Sequence, residues 1–459
     1  MYKITERQNS SGTYYEKQDY STKNELISTE YIKIRVYTSK TDNGKTLTMF
    51  YDSNMNPIDD AINFINFGGM QGQSQNYILQ ATSALRFLYA YLEIFHIDLS
   101  QMEDKEARAY IDFLRGVSRE GLLYTTDFKK RRTNETISSY LKVARKYVSY
   151  LGYDNHAFLT KSENLKTIIM PESEGAKTVR LYNVKVKTPK RTDYVPSYVN
   201  LEEYKNILET IKGTTTPLRD RVICRLLFEH GLRIGEVLGL TLEDIKMKET
   251  KDFQVQYRIE LRNRVSDTNE QNVKTIMNVT SIDDYNDPGY IRKDVGYQVI
   301  VISEDLAMEL LEYINTFHES DKYKYMERRE KYARADSVPY GNPSITKNYY
   351  VFLNTLGRPL SENLWDKNLR EIFKKAGLAV DVGVREKNLN HRLRHGYAMY
   401  LTNELHLSDF DVKTLMRHKN LSTTAIYHNP TPEDTEKLQE KLIEKWNIYL
   451  LKDGENDGC

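Results

Sequence analysis

Four residues near the end of the chain have types and spacings that could do chemistry together. His391 and Arg394 stand three apart, His418 follows, and Tyr427 comes nine residues after His418. A spacing of three puts His391 and Arg394 on one helix face, and Ala398, Leu401 and Leu405 continue that face as an apolar stripe aimed at a core. Ser408, three residues before Asp411, has the form of a capping box that opens the next helix, with Phe410, Val412, Leu415 and Met416 as its apolar content and an end near His418. The polar run Asn420, Ser422, Thr423 and Thr424 then suits a further helix start, with Tyr427 in its first turns beside free backbone N–H groups that favour an anion. A phenol with a pKa near 10 is mostly protonated at neutral pH and needs activation before it attacks anything. Guanidinium forks match the oxygens of a phosphate as a lysine cannot. The set therefore suits a phosphate as the anion, with a phenol close by.

A second box lies far upstream. Residues 231–240 read Gly231-Leu232-Arg233-Ile234-Gly235-Glu236-Val237-Leu238-Gly239-Leu240, with Asp244 shortly after. Arg233 alone could be a surface residue paired with Glu236, and with 35 tyrosines and nine histidines in the chain no single position carries weight. The joint order does. Arg233, then His391-Arg392-Leu393-Arg394-His395, then Met416-Arg417-His418, then Tyr427 resembles the tyrosine recombinases, the integrase family. That family's pattern is Gly-x-Arg-x-x-Glu-x-x-x-Leu, His-x-x-Arg, Leu-Gly-His and a Tyr nine residues on. One departure is Arg417, where the family usually has Gly, which bears on the tight turn before His418.

The resemblance implies the roles. Arg233 and Arg394 stabilise charge on the nonbridging oxygens, His391 assists proton transfer at the phenol, and His418 hydrogen-bonds the phosphate. A lysine on a hairpin between two strands protonates the leaving 5′-oxygen. Lys274 and Lys293 compete for that last role, separated by an acidic insertion around Asp283 to Asp287, and Lys274 is favoured because it follows the first strand more closely. Tyr427 becomes linked to a 3′-phosphate, and because that linkage keeps the bond energy, a 5′-hydroxyl of another strand can reverse the step without ATP, metal or any other cofactor.

The elements that must position these residues can be read in order. Residues 1 to about 30 look polar and irregular. YIKIRVYT and TLTMFY flank Asp42-Asn43-Gly44, a hairpin signal. Helices follow: Tyr77 to Phe95, a segment opened by a Ser100–Glu103 capping box, and Glu135 to Leu151 with Ile137, Leu141, Ala144, Val148 and Leu151 as its stripe, closed by Gly152. Asn200 and Glu203 cap a helix with Tyr204, Ile207 and Leu208, and another holds Val222 to Leu227. Phe253 to Leu261 alternates as a half-buried strand, YQVIVI at 297–302 is a second, and Ser303 opens a helix. Residues 318–337 are highly charged. After Pro430 and Pro432, Leu438, Leu442, Trp446 and Leu450 form a terminal stripe, which in related recombinases docks on a neighbouring protomer.

The expected fold is therefore mainly α with a small β-sheet, an α+β chain. Residues 1–54 form an N-terminal extension with a packing or accessory-site role, and 55–165 a helical core-binding domain that clamps DNA. Residues 166–198 are a basic linker, and 199–459 the catalytic domain with a C-terminal oligomerisation helix. Local basic runs supply the phosphate-tracking candidates: Lys129, Lys130, Arg131 and Arg132; Lys142, Arg145 and Lys146; and Lys185, Lys187, Lys190 and Arg191.

Composition limits the alternatives. A chain of 459 residues exceeds a comfortable single core. Hydrophobic residues make up 39% and charged residues 29%, no run of about 18 apolar residues exists, and the start lacks an apolar signal core, so a cytoplasmic, nucleoid-associated protein is expected. Two cysteines exclude a disulfide framework and a clustered thiolate metal site. A net charge of only +1 argues mildly against nucleic acid, but its distribution does not. The expected partners are double-stranded DNA, further copies in a tetramer assembled on DNA from free monomers, and an accessory excisionase or host DNA-bending protein, with no membrane. A mobile-element integrase leads. A chromosome-dimer-resolving recombinase, a type IB topoisomerase and a catalytically silent DNA-binding protein are the alternatives.

Overall fold

Strand alternation and helical periodicity sort the described residues into two large apolar clusters and a small third one around Met399, Met416 and Tyr427, and contacts divide the chain into two compact units, residues 1–190 and 191–459. The computed structural model describes residues 2–9, 12–41, 45–117, 124–128, 131–159, 165–169, 176–180, 182, 184–187, 197–264, 273, 275–277, 279, 281–318, 349–380, 388–418, 420–428, 440 and 442–443. The chain is α+β, with helices dominating and small sheets beside them. Among the described residues no helix is long and apolar enough to cross a membrane.

In the first unit the start of the chain is ordered, against the expectation of an irregular segment. Strands β1 (Tyr2–Asn9), β2 (Gly12–Tyr20) and β3 (Leu26–Ile32) pair antiparallel in sequence, β4 (Arg35–Lys40) pairs with β5 (Thr46–Tyr51) as the expected hairpin, and β6 (Tyr124–Asp127) runs parallel to β1. The turn at Asp42 to Gly44 lies outside the described residues. The alternation of these three strands is carried largely by tyrosine and threonine among charged residues, which leaves no clear apolar signal in the sequence. Only a few side chains, Ile4, Tyr15 and Ile32 among them, reach the core.

Those side chains join one apolar cluster with helices α1 (Asp59–Asn66), α2 (Gln75–Phe95), α3 (Asp104–Arg115) and α4 (Asn134–Tyr150). Ser100 does not cap α3. Asp98 caps a single 3₁₀ turn at Leu99–Gln101, and Glu103 with Glu106 forms the box that opens the helix. Thr133 caps α4, and Gly152, at φ +78°, follows its end. The segment expected as a linker contains a hairpin, β7 (Leu165–Ile169) against β8 (Ala176–Arg180).

In the second unit, α5 (Leu201–Ile211) opens with the expected box, Asn200 Oδ1 accepting from the Glu203 amide at 2.8 Å and Glu203 accepting from the Asn200 amide at 2.9 Å. Helices α6 (Pro217–Glu229) and α7 (Ile234–Leu238) follow, then β9 (Ile245–Glu249), β10 (Val255–Arg262) and β11 (Tyr297–Ile302) in an antiparallel sheet of order β11-β10-β9. Strand β9 was not foreseen; four of its five residues are exposed, so it lacks the alternation that reveals a strand.

Helices α8 (Glu304–His318), α9 (Glu362–Lys375), α10 (Leu389–Met399) and α11 (Asp409–Leu415) follow among the described residues. Trp365, fully buried, donates from Nε1 to Asn390 at 2.7 Å and ties α9 to the start of α10. Of Leu438, Leu442, Trp446 and Leu450, only Leu442 lies within the described residues, and it is exposed.

Candidate active site

Helix α10 carries the first group of functional side chains. Asn388 caps it, accepting from the Asn390 amide at 3.0 Å, which sets His391 on the exposed first turn and Arg394 one turn deeper, where it is 3% exposed. The helix can sit this close to α6 because residue 396 is glycine: a Cβ there would lie 2.2 Å from the Val199 carbonyl and 2.6 Å from the Phe228 ring. Beyond Met399 the helix widens into a π turn, Tyr400–Glu404, a feature found often near functional sites.

Arg394 bonds from Nη1 to the Gly231 carbonyl and from Nη2 to the Met416 carbonyl at 2.5 Å, so one guanidinium joins the upstream arginine box to the turn before His418. Gly231 is required at its position. Its φ is +56°, and a Cβ would fall 2.4 Å from the Tyr397 ring and 3.2 Å from the Met416 sulfur.

Arg233 caps α7, and Glu236 answers it twice, accepting from the Arg233 amide at 2.8 Å and from Nη1 at 2.6 Å. Glu236 is fully buried and also holds Arg417, whose Nη2 lies 3.1 Å from Oε2. The same Nη2 donates to the Gly231 carbonyl at 3.1 Å. Burial alone would push the Glu236 carboxyl up, but Arg417, Arg233 and Arg394 together outweigh it and hold it down at about 2. Three guanidiniums thus act on one carboxylate, an excess of positive charge that a phosphate would neutralise. Burial, then Arg233, pushes Arg394 down to about 9, which leaves it charged at neutral pH.

Arg417 stands where the family usually has glycine and adopts a backbone conformation that favours glycine. Its φ is +54°, the left-handed region. The side chain that makes this conformation costly is the one that reaches Glu236 and the Gly231 carbonyl.

Tyr427 stands on a 3₁₀ turn, Ala425–His428, rather than at an α-helix start. It is 2% exposed, and its hydroxyl lies 2.6 Å from His395 Nδ1. Burial pushes the phenol up to about 12, offset only in part by Arg394 and Arg233. The His418 ring lies within 14° of parallel to it at 6.3 Å between ring centroids, and is tethered through Nδ1 to Thr424 Oγ1 at 3.0 Å. The His391 ring centroid lies 5.8 Å from that of His395.

The fold therefore gathers Arg233, His391, Arg394, His418 and Tyr427 in one place. Lys274 lies outside the described residues; its neighbours Val273 and Thr275 are both fastened to Asn263, at 2.6 and 2.7 Å. Lys293 is exposed with Asp294 at 3.9 Å. Three participants went unread as site residues in the sequence. His395 had a signal, one turn from His391 and next to Arg394. Glu236 and Arg417 meet only across 181 positions.

Beyond the site, the basic candidates behave differently from one another. Arg132 is occupied structurally rather than exposed, bonding Glu6 at 3.2 Å with its guanidinium 3.7 Å from the Phe87 ring. Arg145 donates to the Phe158 and Val184 carbonyls at 3.3 and 2.6 Å and lies over Tyr182. Arg131, Lys142, Lys185 and Lys187 are exposed and Lys146 is half-buried, while Lys129, Lys130, Lys190 and Arg191 lie outside the described residues. Leu405, Phe410 and Leu415, expected to face a core, are exposed.

Comparison with known proteins gives the family of the chain. The phage integrase family model matches residues 197–434, just over half of the chain. The chain belongs to that family, the tyrosine recombinases, enzymes that break and rejoin DNA strands. Among its relatives are the tyrosine recombinase XerC of Staphylococcus carnosus, 24% identical over 76% of this chain and 84% of that protein, and transposase A from transposon Tn554 of Staphylococcus aureus, 24% identical over 87% and 95%. A solved structure of the Tn1549 transposon integrase with transposon right-end DNA is similar at a TM-score of 0.46 and 16% identity, covering 81% of this chain and 95% of that one.

Proposed function

We propose that this chain is the site-specific recombinase of a mobile element, cutting and rejoining DNA through a 3′-phosphotyrosyl link at Tyr427. The observation that carries this reading is the convergence of Arg233 and Arg394 on one buried carboxylate beside a phenol already surrounded by imidazoles. In this reading the two guanidiniums take the nonbridging oxygens, His418 bonds the phosphate, and His391 and a lysine, Lys274 ahead of Lys293, serve the proton transfers. Residues 55–165 clamp the duplex, with Lys142, Lys146, Lys185 and Lys187 as phosphate contacts in the first unit, and a homotetramer performs the exchange in the cytoplasm. The alignment with a transposon transposase over 95% of its length favours the mobile-element role.

As described, Tyr427 is stowed, so attack requires DNA to uncover it. The test is covalent capture: the purified protein is incubated with a fragment library of the DNA flanking its own gene, denatured, and the attached DNA mapped. Adducts at two element ends, absent from Tyr427→Phe, are expected. Attachment at one chromosomal site outside any element would point instead to dimer resolution, and no adduct from the wild type would leave a DNA-binding protein without catalysis.

A further inference from the structure

We propose that His395 is a further catalytic residue, its Nδ1 taking the proton of the Tyr427 hydroxyl as the phenolic oxygen bonds to phosphorus. The assignment rests on the recombinase reading above. It differs from that reading in placing at His395 the role that the resemblance gives to His391.

Geometry separates the three imidazoles. His395 Nδ1 is 2.6 Å from Tyr427 Oη, within direct proton-transfer reach. His418 commits its Nδ1 to Thr424 Oγ1. His391 stands one helical turn before His395, packed ring to ring against it at 25° between planes. With the proton of the neutral ring on Nε2, Nδ1 accepts from the phenol.

The ring is suited to hold the proton only transiently. Burial, with His391, Arg394 and His418 adding positive charge, pushes His395 down to about 3, so in the DNA-free chain it is neutral while the phenol keeps its proton. A bound phosphodiester brings a negative charge against this cationic surround and raises the proton affinity of the imidazole. The step balances. The Tyr427 O–H bond breaks, its electron pair forms the O–P bond and its proton moves to Nδ1. The bond from phosphorus to the 5′-oxygen breaks with its pair on that oxygen, which takes a proton from the lysine acid. When a 5′-hydroxyl attacks the phosphotyrosine, His395 returns its proton to the departing phenol.

The experiment measures the rate of adduct formation on the gene-flanking fragment library for the wild type, His395→Asn and His395→Gln. Retention of the library DNA serves as the folding control. Asn places a carbonyl oxygen near the Nδ1 position and can accept the hydrogen bond but not the proton; Gln does so near Nε2 and serves if Asn fails the control. A loss of roughly 10²-fold with DNA retention intact is expected, the low end of what general base catalysis supplies. The same variants are then made with 3-fluorotyrosine at position 427, a more acidic phenol that depends less on a base. Recovery of most of the lost rate is expected, an effect that a structural role for His395 would not produce. Wild-type rates in the His395 variants, or a loss that fluorotyrosine does not recover, would overturn the assignment alone. A wild type that forms no adduct would remove the recombinase reading and this assignment with it.

Discussion

Arg417 sets two costs against each other within one residue. A non-glycine residue in the left-handed region costs about 1–2 kcal/mol, and a hydrogen bond to a charged group returns about 1.5–3 kcal/mol. Arg417 does both, at φ +54° and 3.1 Å from Glu236. Arg417→Ala loses the contacts and keeps the strain, whereas Arg417→Gly loses the contacts and relieves it. We expect the glycine variant to be more stable than the alanine variant by about 1 kcal/mol, and both to form adduct more slowly than wild type. Urea denaturation followed by tryptophan fluorescence checks the first expectation, since Trp365 is fully buried in the second unit and both tryptophans fall in its residue range. Equal stability of the two would remove the strain argument. Glu236→Gln should be worse than either. It leaves three guanidiniums around a neutral amide, and breaking a buried pair in this way costs roughly 3–5 kcal/mol. A urea midpoint near that of wild type would show that the carboxylate is not their common anchor.

At the scale of elements, the site exists because α10 lies unusually close to α6 and to residue 199, and glycine at 396 is what permits this. The backbone amide of Val199 also donates to the Arg392 carbonyl on that helix at 3.1 Å. A methyl group at position 396 would meet backbone as well as ring, which a side-chain rotation cannot relieve. Gly396→Ala should therefore destabilise the second unit by about 1–3 kcal/mol, the usual cost of overpacking. Because α10 carries His391, Arg394 and His395 together, adduct formation should fall with stability; a variant of normal stability and rate would mean that the helix can shift without cost. The first unit makes a parallel case. Ile4, Tyr15, Ile32, Ile34 and Phe50 share one core with its helices, so removing residues 1–52 should unfold this unit, read as lost helical circular dichroism, rather than trim an appendage.

At the scale of the whole molecule, acid should act on the second unit through groups buried uncharged or buried in pairs. Burial pushes His230 down from 6.5 to about 4 and His395 to about 3. An unfolded histidine takes up a proton near 6.5 that these folded ones refuse, so unfolding binds protons below that pH and stability falls as pH is lowered from about 6.5 toward 4 and then 3. Glu236 has the other chemistry and the same sign: held at about 2 against 4.5, its contribution is whole above about 4.5 and is lost as pH falls toward 2. Thermal unfolding followed by tryptophan fluorescence should show a melting temperature that drops from pH 6.5 downward in wild type and drops less steeply in His395→Gln. A flat profile between pH 6.5 and 4 would contradict the burial of these imidazoles.

The chain's own order of residues was enough to point to the family and the class of fold. Arg233, His391, Arg394, His418 and Tyr427 are legible through their joint order, which resembles the tyrosine recombinases, while capping is short-range physics, and Asn200 with Glu203 or Ser408 with Asp411 cap as written. What sequence could not supply is who meets whom across long separations. Glu236 clasping Arg417, Gly231 accepting from Arg394, and His395 touching the phenol depend on how α6, α10 and the 3₁₀ turn of Tyr427 pack, and packing is settled by the shapes of buried surfaces that no local pattern encodes. The strands before Ile32 and strand β9 escaped for a related reason. Few of their side chains are buried, so backbone pairing with neighbours, not their own alternation, makes them strands.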